Sequence, residues 1–166
     1  MNRILIKDIV ILSLIFGSIM GLIAPIPILG TVVLFSVLLL SAPIVVLYLI
    51  MAGKLDLTTA KDSIISGAII GFSTNLTFSI FYSIVMAILA VGFHVSSNFF
   101  LSTMIINSPL WLIMVFIIFI GVLFAVTNAF SSFATYYIIN FIRDIYEKEH
   151  PEYRQEDNRG KNDDWI

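Results

Sequence analysis

The chain has 166 residues, 59% hydrophobic and 12% charged, with a mean hydropathy of +1.02, whereas soluble domains carry roughly 25% charged residues. That composition excludes an ordinary soluble domain, and a formal charge of −2 excludes the broadly basic surface that nucleic acid requires. Cysteine is absent, which removes disulfides, thiol catalysis and cysteine metal sites.

Arg3 and Lys7 precede an uncharged run from Ile9 to Ala24. A charged start and an apolar middle also describe a signal peptide, but we find no small-x-small cleavage site, and Pro25 and Pro27 follow at once. The reading is a retained helix over about residues 4–24, whose roughly 21 residues span about 30 Å of hydrocarbon. Two prolines and Gly30 make the turn, and a second helix is expected over about 29–52. Pro43 lies inside it and removes a backbone hydrogen bond, with Ser41 as a candidate local partner for the freed group. Pro43 is a candidate hinge, although proline is also frequent in membrane helices without that role.

Lys54, Asp56, Lys61 and Asp62 mark a short polar loop in which Thr58 or Thr59 is placed to cap the next helix. From Ser63 to Ile142 the sequence has no Asp, Glu, Lys or Arg, a stretch of a length for two helices and a connection. The third helix is expected over about 63–91 and the fourth over about 109–142, opened by Ser108 and Pro109 and continuing toward 150. Phe130, Phe133, Tyr137, Phe141 and Ile145 recur at helical spacing, which reads as an amphipathic extension or a strong tilt. Asn98 to Ile106 reads as a short surface helix. Residues 151–166 read as a disordered acidic tail, including Trp165 and Ile166.

The expected fold is therefore all-α: a polytopic integral membrane protein of four transmembrane helices in two hairpins, with residues 1–150 as one membrane domain. Lysine and arginine fall in three segments: Arg3 and Lys7; Lys54 and Lys61; Arg143, Lys148, Arg154, Arg159 and Lys161. Four spans put all three on one side, and the positive-inside rule places both termini in the cytoplasm of a cell membrane. Lys7-Asp8 and Lys61-Asp62 each open a helix that carries GxxxG, which raises a duplicated hairpin.

Small residues at every fourth position give three candidate packing faces: Ser13, Gly17 and Gly21; Ser63, Gly67 and Gly71; Gly121, Ala125 and Ala129. The α-helical row from Ser63 continues through Asn75, Ser79, Ser83 and Ala87. Asn75 lies roughly 20 Å beyond Asp62 and Asn128 roughly 22 Å before Arg143. If both helices are straight, the asparagines share a level and form, with Ser79 and Ser132, a polar layer: a binding cavity, or hydrogen-bonded glue between helices. Asn75 opens an NLT glycosylation pattern, but inside a span. His94 and His150 sit in no catalytic constellation, and no ionisable residue lies within a span, so proton-coupled transport and intramembrane hydrolysis lack their groups.

These features point to a non-enzymatic subunit or partner of a membrane assembly, acting through helix packing, with the lipid bilayer and a protein partner or second copy as its contacts and no cofactor or metal. The alternative is a small transporter, channel or holin-like pore lined around Asn75 and Asn128.

Overall fold

The computed structural model describes residues 3–26, 29–54, 59–94, 103 and 107–149. Apart from Thr103, the segment expected as a surface helix, the polar tail and His150 lie outside them. Four helices are long and apolar enough to cross a membrane. They are α1 (Arg3–Ile23), α2 (Leu29–Met51), α3 (Ala60–Ala87), which a π-helical turn prolongs over Ile88–Gly92, and α4 (Leu110–Glu149). The chain divides into two units, Met1–Phe133 and Ala134–Ile166.

Local chemistry sets the helix ends. Gly53 has φ +64°; its N–H donates to Ile50 O and the Lys54 N–H to Leu49 O, both at 2.9 Å. That is a Schellman stop, which uses glycine because the left-handed conformation carries no Cβ penalty there. Of the two threonines proposed as caps, Thr59 caps α3: its hydroxyl oxygen accepts from the Asp62 N–H at 3.2 Å and donates to Asp62 Oδ2 at 3.0 Å. Lys54 Nζ lies 2.9 Å from Asp8 Oδ2, which ties the end of α2 to the start of α1. The Asp8 carboxylate, through this hydrogen bond and then its charge, holds the Lys54 ammonium above its ordinary value of 10.5.

Within the first unit each helix buries rows of residues four apart, the spacing that stacks side chains on one face. On α1 the row is Ile9, Ser13, Gly17 and Gly21, and on α2 it is Val33, Val37, Ser41, Val45 and Leu49. Helix α3 buries two rows. Ser66, Ile70, Thr74 and Phe78 form one, and Ser63, Gly67, Gly71 and Asn75 form the other. A Cβ added at Gly17 would strike Thr74 O, and one at Gly21 would lie 2.7 Å from Phe78 O, so α1 runs parallel to α3 along its first row. Added at Gly67 it would strike Asn128 O, and at Gly71 Phe124 O, so α4 runs antiparallel along the second.

The interior is more polar than the outside. Ser13, Ser41, Ser63, Ser66, Thr74, Asn128 and Ser132 are fully buried, whereas Ile15, Leu22, Val32, Phe35, Ile84 and Phe119 are exposed. In the second unit Phe141, Ile142 and Tyr146 are exposed as well, and Arg143 Nη2 donates to Asn140 Oδ1 at 3.0 Å.

Candidate functional site

The small-residue face of α4 is turned relative to the sequence expectation. Gly121 is buried, but the row that continues inward is Phe124, Asn128 and Ser132, while Ala125 and Ala129 are only half-buried. The physical reason is hydrogen bonding: Asn128 and Ser132 need partners away from an apolar exterior, and alanine does not.

Asn128 finds them on α2. Its Oδ1 accepts from Ser41 Oγ at 2.7 Å and from the Ala42 N–H at 2.9 Å. Its Nδ2 donates to Leu38 O and Phe124 O, both at 3.0 Å, with Val37 O further off at 3.4 Å. Leu38 O and the Ala42 N–H are the groups an α-helix joins to each other, so the asparagine amide acts as a surrogate peptide clasped onto the helix ladder just before Pro43. Donors converge on one amide atom and carbonyls on the other, which fixes the orientation of the amide. Ser41, expected to serve the backbone freed by Pro43, donates to Asn128 instead. The sequence reading set Asn128 against α3 and missed α2; the signal available was Pro43, beside which the helix backbone invites an outside partner.

The two asparagines do not share a level. Ser63 Oγ donates to Ser132 O at 2.7 Å and lies 2.9 Å from Ser132 Oγ, so the start of α3 is level with Ser132. The expected layer counted back from Arg143 as the end of the span, whereas the helix continues to Glu149 and the residue that meets the start of α3 is Ser132. Asn128 accordingly packs on Gly67 and Gly71. Asn75 Nδ2 instead reaches Ile117 O at 3.4 Å, about three helical turns, roughly 16 Å, from Asn128 along α4. Ser79 Oγ is 3.5 Å from Asn75 Oδ1, while Ser132 belongs to the Ser63 contact.

Two recesses border α3. A cavity of 190 Å³ lies between Leu34 of α2, Asn75, Ser79, Tyr82 and Ser83 of α3, and Ile117 of α4. The Phe78 and Tyr82 rings, which also line it, stack with centroids 5.6 Å apart. Sequence reasoning singled out Asn75 and Ser79 here but gave Tyr82 no role. The second recess is an apolar groove of 420 Å³ lined by Ile64, Ala68 and Phe72 of α3 and by Ala125, Ala129 and Phe133 of α4, among others. Ala125 and Ala129, assigned to internal packing, also line this groove, while the Ala129 Cα lies 3.0 Å from where a Cβ at Gly67 would sit.

Among the described residues no three His, Asp or Glu side chains gather in a metal-binding group. His94 is exposed, with φ +54°. Pro43 is half-buried within α2. The chain matches no protein-family model, no curated protein and no solved structure.

Proposed function

We propose that this chain is a cell-membrane protein that crosses the bilayer four times with both termini in the cytoplasm, and that it serves as a subunit of a larger membrane assembly by docking a helix of another chain. The membrane reading rests on the polar interior and apolar exterior, the arrangement that lipid favours and water does not. The docking reading rests on one observation, the groove along Ala68, Ala125 and Ala129. Helices in lipid associate through close backbone approach over small side chains. The glycines of α1 and α3 meet neighbours within the chain, Gly67 against the Ala129 Cα among others, whereas Ala68 and Ala125, together with Ala129, line an unfilled groove.

The test is purification of the tagged chain from its native membrane in mild detergent, with the mass and composition of the particle determined. A second polypeptide or a second copy at fixed stoichiometry is the expected result, and Ala125→Leu with Ala129→Leu should release it while leaving the thermal unfolding of the chain unchanged. A lone monomer recovered from the native membrane would sink the assembly reading.

A further inference from the structure

The cavity at Asn75 shares no lining residue with the apolar groove, and its polar groups are incompletely bonded. Asn75 is 1% exposed, yet its two contacts are 3.4 and 3.5 Å long, at or past the outer limit of a hydrogen bond. The Asn128 amide, with the same chemistry and burial, makes four contacts of 3.0 Å or less. Among the described residues neither Tyr82 Oη nor Ser83 Oγ forms a hydrogen bond. Asn75, Ser79 and Ser83 follow one another at four-residue spacing, so a narrow polar seam runs for roughly 12 Å along an otherwise apolar lining. Aromatic and aliphatic side chains, Phe78, Phe116 and Phe124 among them, form the rest.

We infer that this cavity is a binding site for a small uncharged molecule that carries a hydroxyl group on an apolar body. The missing charge follows from the lining, which holds no Asp, Glu, Lys, Arg or His; a bare ion would be desolvated there without a counter-charge. The hydroxyl follows from the mixture of an amide and hydroxyls, which both donate and accept. The apolar body follows from the opposite wall, where waters would lack the two to four polar partners each needs. Size sets a limit as well: an apolar cavity of about 150 Å³ takes up benzene, so 190 Å³ suits a one-ring molecule or a short chain.

Phenol and toluene are matched probes, one ring each with and without the hydroxyl. Binding is read on the full chain in detergent by thermal stabilisation against probe concentration, with titrations of detergent alone subtracted. Wild type should bind phenol, and Asn75→Leu should weaken phenol about tenfold, the worth of one hydrogen bond to a buried site, while toluene is unaffected. Should Asn75→Leu fail to fold, Ser83→Ala with Tyr82→Phe gives the same comparison on milder changes. Mass spectrometry of the protein from its own membrane separates the sources of such a hydroxyl. A co-purifying lipid that phenol displaces identifies a lipid hydroxyl, and phenol binding with no lipid identifies a free small molecule. Equal phenol affinity in wild type and in both variants would overturn the assignment, as would toluene binding as tightly as phenol.

Discussion

Asn75 and Asn128 are the same residue at almost the same burial, 1% and 0% exposed, and they occupy opposite energetic positions. The Asn128 amide is fully engaged between two helices, whereas the Asn75 amide is held by marginal contacts. Removing Asn128 leaves the Ser41 hydroxyl buried without its acceptor and strips the clasp from the ladder ahead of Pro43. Leaving a buried polar group unsatisfied costs about 1–3 kcal/mol, so Asn128→Leu should destabilise the bundle by that amount. Asn75→Leu should cost no more than about 0.6 kcal/mol, the average for an interhelical hydrogen bond in a membrane protein. Thermal unfolding in one detergent ranks the two variants, and equal losses would contradict the different roles drawn for them.

The α3–α4 contact belongs to the next scale, because two helix backbones approach closely there. A methyl group at Gly71 would collide with Phe124 O, part of the α4 backbone, so the helices must separate along the contact. Gly71→Ala should cost about 1–3 kcal/mol, the range for overpacking. Gly92→Ala meets nothing within 4 Å and should be neutral or slightly stabilising through reduced freedom of the unfolded chain; a neutral Gly71→Ala in the same unfolding assay would refute the contact. The helices were legible in the sequence because apolar length, proline and capping residues all act locally. Gly67 and Gly71 were legible as a face for the same reason, since period four on one helix needs no knowledge of its neighbours. The register against α4 was not, because it depends on where that helix stops, and a charge such as Arg143 marks the first polar solvent contact only when the helix ends near it. Nor does a row of alanines declare whether it points inward. Ala125 and Ala129 suit a packed face and a groove equally, and only the demands of Asn128 and Ser132 decide the rotation.

At the scale of the whole chain, charge and connectivity predict a threading. The Lys54–Asp8 pair, at 2.9 Å, joins the end of α2 to the start of α1, and Thr59 caps α3 a few residues later. Lys7, Lys54 and Lys61 therefore gather at one end of the first unit, while Phe93 and His94 follow α3 at the other. Positive charge is retained on the cytoplasmic side of a membrane because lysine and arginine near a span resist translocation, so the lysine end should face the cytoplasm. With no cysteine in the chain, single-cysteine variants report this without background. Phe93→Cys, at a position 69% exposed, should react with a membrane-impermeant maleimide added to intact cells. Lys61→Cys and Lys148→Cys should react only after permeabilisation, the second because an even number of spans returns the chain to the side on which it began. The reverse pattern would invert the orientation and keep the four spans. Labelling of Lys148→Cys from the same side as Phe93→Cys would instead mean that α4 does not cross, and the four-span threading would fall with it.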